Sequence, residues 1–183
     1  MRYLPNGKQM SEADAHTIHK IGIPSLVLME RAALQIVETM HKKNISTEKS
    51  LIVCGSGNNG GDGFAVARLL TEQGKHADVL FAGKEASLSE ECRCQKQIVE
   101  NMGISVFTEF PDEEYTVIID AVFGVGLCRE ITGHYKDVID WMNLQDTEKV
   151  AVDIPSGICA ATGEILGTAF RADLTVCMAC VKL

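Results

Sequence analysis

The sequence predicts a three-layer, doubly wound α/β fold: a mostly parallel sheet with helices on both faces. Short apolar runs without polar alternation recur along the chain, as in residues 51–54, which suits strands buried on both sides. Segments of helical periodicity separate these runs, and parallel strands need such crossovers. Glycine-rich turns follow several of the strands, as "GSGNNGGD" follows the first.

The chain opens on a short helix for which Ser11 and Asp14 are suited as caps and which Gly22 and Pro24 end. "SLVLMERAALQIVETMHKK" predicts a second helix. Ser25 can cap it, Leu28, Ala32, Val37 and Met40 recur at helical spacing, and His41, Lys42 and Lys43 complement the dipole at its end. Its leading turn is apolar all round. Residues 51–54 read as the first strand, and residues 62–73 as a helix with Phe64, Ala67 and Leu70 on one face, ended by Gly74. "ADVLFAG" is a second strand, "SLSEECRCQKQIVENMG" a helix capped by serine and closed by Gly103, and "ISVF" a third strand. "YTVIID" is the fourth strand, "HYKDVIDWMN" a helix, "KVAVDIPSG" the fifth strand with its loop, and "DLTVCMACV" the sixth.

At 183 residues the chain is long enough for one core and short for two, so residues 1–183 are expected to form a single domain. A net charge of −8 argues against nucleic acid and anionic membrane as partners, since both are held by clustered Lys and Arg. No apolar run approaches spanning length and the N-terminal residues lack a secretory core, so a cytoplasmic protein is expected. The seven cysteines, Cys54, Cys92, Cys94, Cys128, Cys159, Cys177 and Cys180, are odd in number and scattered through helices and strands, which suits reduced thiols. Cys92/Cys94 and Cys177/Cys180 have zinc-compatible spacing, but no His joins them at finger spacing, so core filling is the favoured reading.

Ligands of open parallel sheets bind beyond the carboxyl ends of the strands. Three loops there stand out: "GSGNNGGD", "DAVFGVGLCREITG" and "DIPSG". Asp120 and Asp153 each follow apolar residues, so each emerges from a buried strand, where a charge is costly unless paired, hydrogen-bonded or bound to a cation. The alternative is that each merely caps the turn after it. Gly55, Gly57 and Gly60 match the dinucleotide spacing G-x-G-x-x-G. An ordinary nicotinamide dehydrogenase also needs an acid at the end of the second strand for the adenine ribose, and here Glu85 comes too late and Asp78 too early. Asp62, at the expected helix start, would repel a phosphate and favour hydroxyl, amide or cation partners. Asn59, Asp120 and Ser156 offer a carbonyl, a carboxylate and a hydroxyl from neighbouring loops, a set suited to a hard cation, and with so little negative charge a monovalent one.

Together "GSGNNGGDGFAVARLL", "IIDAVFGVGLCREITG" and "VAVDIPSGICAATGE", with "GIPSLVLMERAA" before them, resemble the YjeF N-terminal domain family, whose characterised members are NAD(P)H-hydrate epimerases. The resemblance covers essentially the whole chain and implies a Rossmann-like fold of that type. It implies interconversion of the R and S forms of hydrated NADH and NADPH, which carry a hydroxyl on C6 of the nicotinamide ring, and a bound potassium ion (K+). Carried over by motif, substrate contacts fall on Asn58, Asn59, Gly60, Gly61 and Asp62, on Gly124, Val125, Gly126, Leu127, Cys128, Arg129 and Glu130, on Tyr135 and on Asp153. The ion falls on Asn59, Asp120 and Ser156. Asp153 is expected to be the catalytic acid and base, and Arg129 a charge partner for the phosphates. Domains of this family usually run a few dozen residues further, so the resemblance implies truncation at the C-terminal end, and many bacterial members carry a further dehydratase domain. Whether two copies pair as a homodimer stays open at this level. The competing expectation is a non-catalytic nucleotide-binding or scaffold module, because eukaryotic relatives use the fold in RNA processing and extracellular interactions.

Overall fold

The computed structural model describes residues 7–178. Six strands form one wholly parallel sheet in the order β3-β2-β1-β4-β5-β6. They are β1 (Lys49–Cys54), β2 (His76–Phe81), β3 (Val106–Phe107), β4 (Val117–Ala121), β5 (Glu148–Val152) and β6 (Leu174–Val176). The helices are α1 (Gly7–His16), which continues into a π-helical turn at Thr17–Ile21, α2 (Ser25–Lys42), α3 (Asn58–Glu72), α4 (Glu90–Asn101) and α5 (His134–Leu144). The order reverses between β1 and β4, the topological switch point at which ligands of such sheets bind.

The sheet is buried on both faces, and successive residues of a strand enter different clusters. Ile52 and Cys54 join α2, α3 and α4 in one core, whereas Leu51 and Val53 join Val138, Ile139 and Met142 of α5 in the other. Phe64, Ala67 and Leu70 are fully buried on α3, as their spacing predicts. On α2 the buried stripe is Met29, Ala33, Ile36, Val37 and Met40; Leu28 and Ala32 lie beside it, only partly covered. Leu26 and Val27 in the apolar first turn are exposed. Arg68 of α3 pairs with Glu30 of α2 and with Glu72 one turn on, fixing the two helices together.

The local signals err mostly at helix starts. Ser11 and Asp14 are interior to α1 rather than caps, and Gly22 ends the following turn with φ +87°. Pro24, not Ser25, is the N-cap of α2, and Ser25 makes no capping bond there. Ser89 caps α4 as expected, its Oγ accepting from the Cys92 N–H at 3.2 Å. The main correction concerns α3, which starts at Asn58 and not at residue 62. Strand six is also shorter than "DLTVCMACV": Cys177 and Met178 follow it without strand pairing, and residues 179–181, with Cys180, lie outside the described residues. Cys92 is buried in the core with its S–H directed at the Gly55 carbonyl, 3.6 Å away, and desolvation pushes its thiol up to about 12.

The early start of α3 depends on two glycines. A Cβ at Gly60 would overlap the Gly55 carbonyl, and one at Gly55 would overlap the Val122 carbonyl. The first turn of α3 is thereby pressed onto the end of β1, and β1 onto the end of β4. Gly57 faces open space. Gly60→Ala should therefore lower unfolding free energy by about 1–3 kcal/mol in urea denaturation, as overpacking does, while Gly57→Ala should cost under about 1 kcal/mol, the scale of losing a favourable N-cap.

Candidate active site

Because α3 begins at Asn58, the segment read as a glycine-rich turn is the helix's first turn. Asn58, Asn59, Gly60 and Gly61 form it, and Asp62 begins the next. Ser56, just before, ties this turn to the loop after β2 by accepting from the Lys84 N–H at 2.8 Å. Asn59 reaches across to the β4 loop, its amide in contact with Gly124 at 3.2 Å from where a Cβ would stand.

Asp120 lies within β4, wholly buried. Its carboxylate accepts from the Ser156 N–H at 2.7 Å, from the Ser156 hydroxyl at 2.6 Å and from the Val122 N–H at 3.1 Å. The same hydroxyl accepts from the Phe123 N–H at 2.9 Å. Burial pushes the Asp120 carboxyl up to about 6, against the three hydrogen bonds that favour its charged form. Capping of the following turn and a strand-tip carboxylate are thus both present in one residue.

This arrangement fits a hard monovalent cation. Among the described residues no cationic side chain offsets the buried Asp120 charge. One polar atom of the Asn59 amide, Nδ2, is buried without a partner among the described residues. A half-turn of that amide exchanges nitrogen for oxygen, so Asn59 can present an oxygen donor there. Asp120 and Ser156 supply the remaining oxygens of the predicted trio.

Asp153 follows the end of β5. Among the described residues it is one of two non-glycine residues with positive φ, at +67°, a conformation tolerated where surrounding structure imposes it. Its N–H donates to the Val176 carbonyl at 2.9 Å, and its Oδ1 accepts from the Met178 N–H at 3.2 Å. Asp62 contradicts the expectation of a charged group at a helix start. Removal from water, with the charges of Asp153 and Asp14 nearby, pushes its carboxyl up to about 8, so it is mostly protonated at pH 7 and does not repel an anion.

The remaining predicted residues lie on the loop after β4 and at the start of α5. Gly124 to Leu127 make a turn closed by the Leu127 N–H on the Gly124 carbonyl at 3.3 Å, with Val125 half-buried and Gly126 exposed. Leu127 is buried, whereas Cys128, Arg129 and Glu130 are exposed. The half-buried ring of Tyr135 packs on Phe123, centroids 4.8 Å apart.

Asn58 and Asp62 also line a cleft of about 780 Å³ with Asp14, Ser25, Leu28, Met29 and Met178. Sequence reasoning missed Asp14, Met178 and the Phe123 backbone as parts of this edge. Asp14 was assigned a capping role, and no sequence signal marks the contribution of a backbone N–H such as that of Met178.

Fold and site define an α/β protein of dinucleotide-binding architecture whose crevice is built around a buried carboxylate, an amide and a second set of carboxyl groups. The chain belongs to the YjeF-related protein N-terminus family, whose model matches residues 25–183. It is 43% identical over 180 residues to a protein of Oenococcus oeni named NAD(P)H-hydrate epimerase, covering 97% of this chain and 86% of that one. It is 44% identical over 182 residues to a protein of the same name from Limosilactobacillus reuteri, covering 98% and 86%. The crystal structure of yeast ynu0 matches the fold with a TM-score of 0.86 at 20% identity, over 99% of this chain and 82% of that one.

The bonds to Asp120 give a pH-dependent prediction. Its carboxyl is raised from 3.8 to about 6, so the folded protein holds that proton more tightly, and the carboxyl's contribution to stability falls as pH rises between those values. Ser156→Ala removes a donor that favours the charged form. The variant should lose about 2 kcal/mol at about pH 8 and less at about pH 5, measured by urea denaturation in potassium-free buffer. An equal loss at both values would contradict the assigned role of the hydroxyl.

Proposed function

We infer that the protein is an isomerase that interconverts the R and S epimers of hydrated NADH and NADPH, a repair reaction on damaged nicotinamide cofactors. The observation that carries this reading is that the named relatives align over 97% and 98% of the chain, while the family match spans every site residue from Asn58 to Ser156. The buried carboxyl groups at the switch point support it independently, because the reaction needs groups that exchange protons next to a dinucleotide.

The reacting carbon, C6, bears a hydroxyl and adjoins the ring nitrogen. Protonation of the hydroxyl lets the nitrogen lone pair expel it as water, leaving a planar iminium. Water then returns to C6 and gives up a proton as the lone pair goes back to nitrogen. Asp153 is the group assigned to this proton exchange, being held at a strand tip in a strained backbone with one carboxyl oxygen fixed by the Met178 N–H. Asn58 to Asp62, the Gly124–Glu130 loop and Tyr135 surround the substrate in this reading. The loop's backbone N–H groups and Arg129 are assigned to the phosphates.

Asn59, Asp120 and Ser156 would hold a potassium ion. The ion would supply positive charge beside a buried carboxylate and fix the three loops relative to one another. We also read the protein as cytoplasmic: all six described cysteines are free, as a reducing compartment allows, and no helix among the described residues is long and apolar enough to cross a membrane.

The test supplies one purified epimer of hydrated NADH and follows the other by chromatography, with spontaneous interconversion subtracted. Wild type should accelerate the conversion, and Asp153→Asn should reduce that acceleration by about 100-fold or more, the scale of a lost acid–base group. Replacing potassium by a large organic cation should slow wild type. A wild-type rate equal to the spontaneous one would sink the epimerase reading; full activity in Asp153→Asn would sink only the residue's role.

A further inference from the structure

Inversion at C6 makes a demand that one acid–base group meets poorly. The hydroxyl leaves from one face of the ring and water returns on the other, so a donor is needed on one face and an acceptor on the opposite one. The reaction also runs both ways, and the two groups must exchange roles. Two carboxyl groups sharing one proton satisfy this, whereas a single carboxyl must serve both faces of a bound ring.

Asp153 has such a companion. Asp62 sits one turn into α3 and lines the 780 Å³ cleft together with Asn58 and Met178. Met178 is the residue whose N–H donates to Asp153, and the charge of Asp153 acts on Asp62, so the two carboxyl groups are neighbours, one carried by a helix that lines the cleft and the other by a strand tip behind Met178. Gly60, Gly61, Gly63 and Phe64 around Asp62 are buried, so Asn58 and Asp62 are the polar groups that the start of α3 turns toward the cleft, and Asp62 is the ionisable one. Among the described residues its carboxyl makes no hydrogen bond, so capping or bracing does not account for it.

We propose that Asp62 is a second catalytic group, exchanging a proton with the C6 oxygen on the ring face opposite Asp153. In one direction the Asp62 carboxyl protonates the hydroxyl, the C6–O bond breaks and the ring nitrogen lone pair forms C6=N. Water adds from the Asp153 side, Asp153 takes its proton, and the electron pair returns to nitrogen. The proton has moved from Asp62 to Asp153, which is the state the reverse direction requires.

The surroundings agree with this division. Asp14 from α1 and Asp153 from the β5 loop both oppose charge on Asp62; Cys54 and Cys92 face it neutral, and Glu38, Glu91, Arg31 and Lys42 complete the charged lining of the cleft. Asp62 thus holds its proton at neutral pH. The proposal rests on the epimerase reading and on Asp153 within it.

The experiment uses purified single epimers of hydrated NADPH in water labelled with the heavy oxygen isotope, following epimer ratio and label uptake for wild type, Asp62→Asn, Asp62→Glu and Asp153→Asn. In Asp62→Asn, interconversion should fall about 100-fold or more, with substrate affinity within a few-fold of wild type. Asp153 still serves its own face, so one epimer should continue to take up label without inverting, and in Asp153→Asn that epimer should be the other one. Asp62→Glu, which keeps the carboxyl, should recover part of the rate. Wild-type interconversion in Asp62→Asn, or label uptake lost equally from both epimers, would overturn the proposal. Loss in Asp62→Asn with full activity in Asp153→Asn would overturn the pairing and the Asp153 assignment together. A wild type no faster than the spontaneous reaction would show instead that the epimerase reading fails.

Discussion

The catalytic edge of the sheet depends on one buried carboxylate. Asp120 is wholly enclosed in β4, yet it organises what lies beyond the strand by binding two polar atoms of Ser156 and the N–H of Val122. A carboxylate so enclosed is costly unless its lone pairs are occupied, and the donors it gathers are those that set the start of the β5 loop against the start of the β4 loop. Ser156 extends the tie to Phe123, and Phe123 carries Tyr135 on its ring. Removing the carboxylate would release the relative placement of three segments, which is why its effect on the site exceeds that of any single contact.

The second determinant is the closeness of the backbones at the switch point. Gly55 and Gly60 let β1, α3 and the end of β4 meet without side chains between them. That contact brings Asn59 within reach of Gly124 and sets Asp62 toward the cleft. The spacing that resembles a pyrophosphate turn therefore does a packing job here, and the polar residues interleaved with the glycines are the ones left to face the β4 loop and the cleft.

The layer architecture was legible because burial on both faces leaves an unmistakable pattern: Leu51, Ile52 and Val53 are all apolar since each faces one core or the other. The carboxyl-edge residues were legible for the opposite reason, polar atoms at the ends of apolar runs. The start of α3 was not. Asn58 and two glycines carry weak helical propensity, and the helix forms there because tertiary contact at Gly60 overrides it. The error propagated to Asp62, read as a charged helix-start residue when four preceding helical residues carry it into a protected site beside other acids. Asp14 was likewise beyond sequence reasoning, since its proximity to Asp62 depends on how α1 meets α3, and α1 shows no strong amphipathic pattern to announce that docking.

The backbone of Asp153 has an evolutionary consequence. A left-handed conformation is free for glycine and costs an aspartate of order 1 kcal/mol, so drift toward stability alone favours glycine at this position. A lineage released from its chemical task should drift there early and become more robust for it. An acid in that conformation is held at some expense to the fold that carries it, and the proton exchange proposed for its side chain accounts for that expense.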